Sequence, residues 1–164
     1  MTCLQPVTSG DQLRGAFACF PSGVTAICVL VDGVPNGMAA SSFTSVSVSP
    51  ALVSVCIQNA SSTWPKIRDR RRLGISVLAE GQDDICLRLS RKNGDRFAGI
   101  GWQAGAYGSV FIPGASAWLD CSLYEELEAG DHTIALLEIL ELSTAPESLP
   151  LVYYGSRFRR LAGI

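Results

Sequence analysis

Hydroxyl side chains are concentrated in a segment of seven residues in the first third of the chain. Its members are Ser41, Ser42, Phe43, Thr44, Ser45, Val46 and Ser47. In extended form this segment offers backbone N–H groups and hydroxyls to a ligand without adding bulk. The same composition is typical of an ordinary edge strand with one polar face. Composition alone leaves both interpretations open.

A second hydroxyl cluster stands directly before a Trp-Pro pair. Ser61, Ser62 and Thr63 can cap a helix, and proline is favoured near the first helical position. This pattern predicts a short helix over residues 63–69. The N–H groups and hydroxyls at its start suit an anion such as phosphate, for which Lys92 or Arg96 could supply positive charge.

The chain contains one histidine, His132, which follows Gly130 and Asp131. A hydrolase would need a nucleophile beside it, but no G-x-S-x-G segment occurs. No P-loop is present, and the glycines of residues 99–105 lack the spacing and the following helix of a dinucleotide-binding G-x-G-x-x-G site. One histidine and no C-x-x-C pair give a zinc site little to build on. His132 by itself is either a binding residue or a residue with an ordinary satisfied hydrogen bond.

Size and composition predict one domain spanning residues 1–164. Hydrophobic residues make up 48% and charged residues 17% of the chain, which argues against disorder and for a surface covered in a homodimer. The net charge of −2 argues against nucleic acid as a partner. Residues 1–10 lack the pattern of a secretory signal, and no apolar run is long enough for a membrane span. We therefore expect a cytoplasmic protein with six reduced and mostly buried cysteines.

The elements that must position these residues are mainly strands. Apolar and β-branched runs predict strands over residues 24–31, 45–49, 52–57, 73–78, 115–123 and 151–154, with a further extended segment after the turn at residues 32–37. Helical spacing predicts an amphipathic helix over residues 9–20 behind a Ser9 cap, and another over residues 82–90. Residues 133–142 suit both helix and strand, and the Gly130 turn leads us to predict a strand. Six or seven short strands with two or three helices predict a mainly β barrel with peripheral short helices, not a doubly wound sheet.

Six short segments carry a more specific signal through their order. They are FPSGVT at 20–25, GMAASSFTSVS at 37–47, PALV at 50–53, DRFAG at 95–99, GDHT at 130–133 and PLVYY at 150–154. Together they resemble the flavin reductase family with an FMN-binding split barrel. The resemblance implies a homodimeric Greek-key split barrel in which NADH or NADPH reduces FMN or FAD, often for a partner monooxygenase.

The resemblance also implies roles for individual residues. The flavin would contact Ser41, Ser42, Phe43, Thr44, Ser45, Ser47, Gln58, Asn59, Ser61, Ser62, Thr63, Trp64, Lys92, Arg96 and Phe97. The nicotinamide dinucleotide would contact His132, Tyr154 and Arg157. Trp64 and Phe97 could equally serve the core. Hydride passes between the two cofactors, so no catalytic acid or base is required.

The chain departs from the family pattern at three places, one of which is residues 87–90, where an aromatic that often precedes the DRFAG segment is absent. Ala39 and Ser41 replace a more usual threonine and asparagine, and the segment after Tyr154 lacks the usual arginine-glycine ending. These changes leave open whether the flavin is FMN or FAD and whether the dinucleotide is NADH or NADPH. Two other functions also remain: a flavin-binding protein without reductase turnover, and a ferric reductase or oxidase that uses bound flavin.

Overall fold

The computed structural model describes residues 4–161, and a curved antiparallel sheet of seven strands forms its frame. The spatial order is β3-β2-β6-β9-β10-β5-β4. These strands are β2 (Thr25–Val31), β3 (Val34–Ala40), β4 (Thr44–Val48), β5 (Ala51–Gln58), β6 (Leu73–Val77), β9 (Ala117–Ala129) and β10 (His132–Thr144).

Shorter elements surround this sheet. The remaining strands are β1 (Ser22–Gly23), β7 (Gln103–Ala104), β8 (Val110–Phe111), β11 (Val152–Tyr154) and β12 (Arg157–Arg159), and the helices are α1 (Gly10–Phe17), α2 (Trp64–Ile67) and α3 (Asp83–Leu89). β1, β11 and β12 form a three-stranded sheet, and β7 pairs with β8.

The main sheet closes around an apolar core. Ile27 of β2, Val55 of β5 and Leu137 of β10 share one buried cluster, although β2 and β5 are far apart in the strand order. A sheet whose distant strands pack on the same core must curl into a barrel. β3 and β4 are its two edges, which leaves the barrel split between them.

β2 is buried on both faces, which explains its continuous apolar run. Ile27 and Val29 point into the barrel core, while Ala26 and Cys28 belong to a second cluster outside the sheet. This alternation follows from the two-residue period of a strand. The outer cluster joins α3 and residues 97–112 to the barrel wall.

Tight turns fix the strand register. Asp32 and Gly33 both have positive φ, at 53° and 81°, as a type I′ hairpin between β2 and β3 requires. Between β9 and β10 the two-residue turn begins at Gly130, with φ of 67°. Glycine adopts this conformation without a steric penalty.

Most sequence-based predictions of elements are confirmed. Residues 133–142 lie within strand β10, and Ser9 caps α1, accepting a hydrogen bond from Gln12 N at 3.2 Å. The predicted number and length of strands were wrong: besides the predicted strand at 151–154, the described chain has four further strands of two or three residues, and two of its strands have 13 residues. A bulge lets a long strand bend without turn residues, so the sequence does not mark how far β9 and β10 extend.

Two further predictions need correction. α1 ends at Phe17 and buries none of its residues, so its apolar face has no partner within the described chain. The cysteines are not mostly buried: Cys28 and Cys121 are, whereas Cys19 and Cys56 are exposed. Cys3 lies outside the described residues.

Among residues 4–161, no helix has the length and apolar character needed to cross a membrane.

Candidate flavin and nicotinamide site

A cavity of about 730 Å³ lies where β3 ends, β5 ends and β10 begins. Most of its lining side chains are small or hydroxylated, and none is acidic. The lining residues are Met38, Ala39, Ala40, Ser41, Ser42, Cys56, Gln58, Ala60, Ser61, Ser62, Thr63, Leu89, Ser90, Lys92, Asn93, Arg96 and His132. Four segments, at residues 38–42, 56–63, 89–96 and 132, therefore meet at one opening.

The connector between β3 and β4 forms one wall of this cavity. Ser42 Oγ accepts a hydrogen bond from Cys56 N at 2.9 Å and donates to Cys56 O at 3.1 Å, which ties the connector to β5. No backbone hydrogen bond within residues 4–161 uses the N–H groups of Ser41, Ser42 or Phe43. These amides remain free to meet a ligand.

The second half of the hydroxyl segment has a different position. Thr44, Ser45 and Ser47 belong to edge strand β4, which pairs with β5, and they do not line the cavity. Phe43 packs against the barrel core. β4 is thus an ordinary edge strand. Of the hydroxyl segment, only the connector before β4 is placed to contact a ligand in the cavity.

The opposite wall carries the positive charge. Arg96 Nη1 donates to Gly37 O at 3.0 Å and to Thr63 Oγ1 at 2.7 Å, so its guanidinium is fixed between β3 and the start of α2. Ser61 Oγ accepts from the backbone N–H groups of Thr63 and Trp64 at 3.3 and 3.1 Å. The exposed Lys92 stands beside Arg96. Two cations and ordered hydroxyls suit a phosphate group.

A second cavity of about 490 Å³ adjoins the first. The two share Ser62, Thr63, Lys92, Asn93 and Arg96. Lys66, Asn36 and Phe97 lie only on the second cavity. The second cavity thus adds Lys66 to the shared cations and also has one carboxylate, Asp95, in its lining.

His132 completes the rim of the first cavity. As the first residue of β10 it pairs with Gln58 of β5, and its side chain is about one-third exposed, at 34%. Nδ1 lies 2.7 Å from Asp131 Oδ1, and this contact lowers the pKa of the Asp131 carboxyl. An ionised Asp131 accepts from Nδ1–H, which leaves Nε2 available to a ligand.

Three predicted flavin contacts have other partners. Trp64 is buried, and its Nε1 donates to Glu126 Oε1 at 2.7 Å. Phe97 packs in the outer cluster, although it also borders the second cavity. The Asn59 side chain is hydrogen-bonded to the β9–β10 turn. None of the three lines the first cavity.

Tyr154 and Arg157 lie at the facing ends of β11 and β12, exposed and outside the lining of the His132 cavity. Their neighbours Tyr153 and Phe158 stack edge to face, with ring centroids 5.5 Å apart. These two rings border a cavity of about 320 Å³ that shares Ser41 with the first cavity.

The sequence analysis missed Cys56 as a lining residue. Val53, Val55 and Ile57 of β5 face the core, so Cys56 must face outward with Gln58. The two-residue period of the strand was therefore sufficient to find it. Lys66 was missed as well, because only the fold brings α2 beside residues 92–97.

The chain is similar to known proteins over most of its length. The model of the flavin reductase like domain matches residues 17–162. The chain belongs to this family. It is 36% identical to a flavin reductase of Pseudomonas putida over 152 residues, which cover 92% of this chain and 89% of that protein.

Solved structures of flavin reductases share the fold. The Streptomyces globisporus NADH:FAD oxidoreductase SgcE6, in complex with NAD and FAD fragments, superposes with a TM-score of 0.88 at 37% identity, covering 93% of this chain and 92% of that chain. BorF, the flavin reductase component of a bacterial two-component tryptophan halogenase, gives 0.85 at 33% identity, covering 95% and 100%. The chain is thus a mainly β, split-barrel member of a family of NAD(P)H-dependent flavin reductases.

Proposed function

We propose that this enzyme uses NADH to reduce FAD and that the cavity beside the connector binds the flavin. One observation carries this proposal: the free amides of Ser41 and Ser42, the cations Lys92 and Arg96, and His132 all border one opening. When bound, the flavin accepts a hydride equivalent from the nicotinamide.

The chain's own residues then bind and orient the two ligands. The amides of Ser41 and Ser42 would meet the polar edge of the ring system, where reduction increases negative charge. Arg96 and Lys92 would neutralise phosphate, helped by the hydroxyls of Ser62 and Thr63. Backbone donors fixed before the reaction need not reorganise during it.

The second cavity supports FAD over FMN. FMN ends at one phosphate, whereas FAD continues through a second phosphate to an adenosine. The shared wall at Lys92 and Arg96 leads into a second cavity, where Lys66 adds a further positive charge. This arrangement provides space and charge for the adenylate half. The S. globisporus relative is named an NADH-dependent FAD reductase, in line with this choice.

His132 would orient the nicotinamide dinucleotide at the rim of the flavin cavity. Its ring is held by Asp131, and Nε2 can hydrogen-bond to the dinucleotide. Tyr154 and Arg157 stay predicted contacts of the same ligand, reached from the neighbouring β11–β12 hairpin.

We further propose that reduced flavin leaves for a partner monooxygenase. Ser41, Ser62 and Lys92 are exposed in an open cavity, which suits exchange with solvent. A relative from Rhodococcus jostii, 36% identical over 90% of this chain and 75% of its own length, is named the reductase subunit HsaB of a flavin-dependent monooxygenase. The cytoplasmic location of the enzyme stays a prediction.

A homodimer is the proposed assembly. Phe17 of α1 and Phe20, three residues beyond it, are 68% and 77% exposed, and Leu13 of α1 is also exposed. Neighbouring exposed aromatic residues mark a surface that a partner covers. A second copy of the chain is the occupant we propose.

Steady-state assays with each pairing of NADH or NADPH and FMN or FAD test the activity. We expect turnover to be fastest with NADH and FAD. Flavin binding without oxidation of either nicotinamide would instead support a binding protein. Faster oxidation with ferric chelates than with free flavin would support a ferric reductase.

Substitution of Lys66 tests the choice of FAD. Lys66→Ala should weaken FAD binding about five-fold, the loss of one charge-assisted contact, and leave FMN binding within two-fold. Arg96→Ala should weaken both flavins, since Arg96 borders both cavities. Fluorescence titration measures each dissociation constant, and equal losses for FAD and FMN in Lys66→Ala would refute the adenylate assignment.

A further inference from the structure

Asn59 is hydrogen-bonded to the β9–β10 hairpin that carries His132. Its backbone N–H donates to Asp131 O at 3.0 Å, its Nδ2 donates to Gly130 O at 3.2 Å, and its Oδ1 accepts from Thr133 Oγ1 at 2.9 Å. Three bonds therefore run from one residue of the loop after β5 to the β9–β10 hairpin.

The orientation of the Asn59 amide follows from these partners. A backbone carbonyl can only accept, so the amide nitrogen must face Gly130 O. The amide oxygen then faces the Thr133 hydroxyl, which can donate to it. Both ends of the side chain thus bond to the hairpin, and Asn59 does not line the cavity proposed for the flavin.

The bonded groups enclose His132 on both sides. Gly130 and Asp131 precede it and Thr133 follows it, while His132 itself pairs with Gln58, the residue before Asn59. The pairing of His132 with Gln58 holds the start of β10 beside β5. The bonds from Asn59 extend this attachment to Gly130 and Asp131, the two turn residues before His132.

We infer that Asn59 is a positioning residue for His132 and not a flavin contact. It holds the hairpin so that His132 meets the nicotinamide dinucleotide without a further loss of conformational freedom on binding. This inference rests on the proposed role of His132. Thr133 contributes to the same positioning, because its hydroxyl donates a hydrogen bond to Asn59 Oδ1.

Kinetics of Asn59→Ala provide the first test. We expect the KM for NADH to rise roughly five-fold, as for the loss of a net hydrogen bond, with the FAD dissociation constant within two-fold. Asn59→Asp should not restore the wild-type KM, because it places a carboxylate against Gly130 O. A weaker FAD affinity with an unchanged KM for NADH would make Asn59 a flavin ligand and overturn the inference.

Thr133 offers a matched pair of variants. Thr133→Val removes the hydroxyl at nearly constant shape and should raise the KM for NADH, whereas Thr133→Ser keeps the donor and should stay close to wild type. Equal effects of the two substitutions would show that packing, and not the bond to Asn59, matters at this position.

A double-mutant cycle separates positioning from general destabilisation. In a His132→Ala background, Asn59→Ala should change the KM for NADH less than two-fold, because the residue that it positions is absent. A full five-fold effect in that background would refute action through His132.

Hydrogen exchange of the peptide over residues 129–134 measures local opening of the hairpin directly. Asn59→Ala should speed exchange there, and unchanged exchange would refute the clamp. If His132→Ala leaves the KM for NADH unchanged, the proposed role of His132 fails, and the exchange data still decide whether Asn59 holds the turn.

Discussion

His132 reaches the proposed flavin cavity from the first position of β10, with its Nδ1 occupied by Asp131 and its Nε2 available. Hydride transfer between two cofactors needs no proton from this ring. In the proposed function its contribution is therefore to the binding and alignment of the dinucleotide.

His132→Ala should accordingly raise the KM for NADH about five-fold, equivalent to about 1 kcal/mol for one hydrogen bond, and change FAD affinity by less than two-fold. Steady-state kinetics and FAD titration of the same preparation measure the two effects. Unchanged kinetics would remove His132 from the site. Because the chain has one histidine, its imidazole proton resonance should also shift when NADH is added.

Cys56 supplies a chemical reporter inside the proposed site. It is exposed and lines the flavin cavity, whereas Cys19 is exposed elsewhere. Burial raises the pKa of both the Cys28 and the Cys121 thiol to about 12, so neither supplies reactive thiolate near neutral pH.

Maleimide labelling followed by peptide mass spectrometry should thus modify Cys19 and Cys56 and spare Cys28 and Cys121. Saturating FAD should slow modification of Cys56 by at least several-fold and leave Cys19 unchanged. Equal protection of both cysteines, or of neither, would contradict the placement of the flavin.

At the scale of elements, the barrel wall depends on a close approach between β6 and β8. A Cβ on Gly74 would lie 2.3 Å from Val110 O, which is far inside van der Waals contact. Backbone atoms on both sides leave no side chain that could rotate away. Glycine at position 74 is therefore a packing requirement.

Gly74→Ala should destabilise the fold by about 2 kcal/mol, as for overpacking of a close contact. Gly23→Ala is the matched control, because a Cβ added at Gly23 would meet no atom within 4 Å beyond its chain neighbours. Urea denaturation followed by tryptophan fluorescence compares the two variants. A similar free energy of unfolding for both would show that β8 can move away at little cost.

The four-residue length of α2 limits what this element can contribute to anion binding. A helix of one turn has little macrodipole, so the charge for a phosphate must come from Lys92 and Arg96. The sequence predicted the helix start correctly but assigned it more of the binding than its length supports.

At the scale of the whole molecule, α1 is the element that the described chain does not explain. Its apolar residues are predicted by the sequence to face a core, yet none is buried. In the proposed homodimer a second copy covers this face, and its burial there explains why a residue as exposed as Phe17 is apolar.

Phe17→Glu should shift the assembly toward monomers, because it puts a charge into the proposed interface. Leu149→Glu is a control, since Leu149 is a comparably exposed apolar residue, at 51%, outside α1. Light scattering after gel filtration measures the mass of each. A wild-type mass equal to the 17.4 kDa chain would refute the homodimer.

Residue order was enough to predict the fold class and the main barrel strands. Strand alternation and hairpin turns are local properties, so the positions of β2, β5 and β10 followed from short stretches of the chain. The order of six short segments also indicated the flavin reductase family, which the comparisons bear out.

The sequence did not show which hydroxyl residues meet at the cavity, and only the tertiary structure did. Ser41 and Ser45 look alike in sequence, but one lies in an unpaired connector and the other in a hydrogen-bonded edge strand. Asn59 likewise gave no local sign of its bonds to a turn some 70 residues later, at sequence separations of 71 and 74. Such contacts depend on the register between distant strands, which no short stretch of sequence encodes.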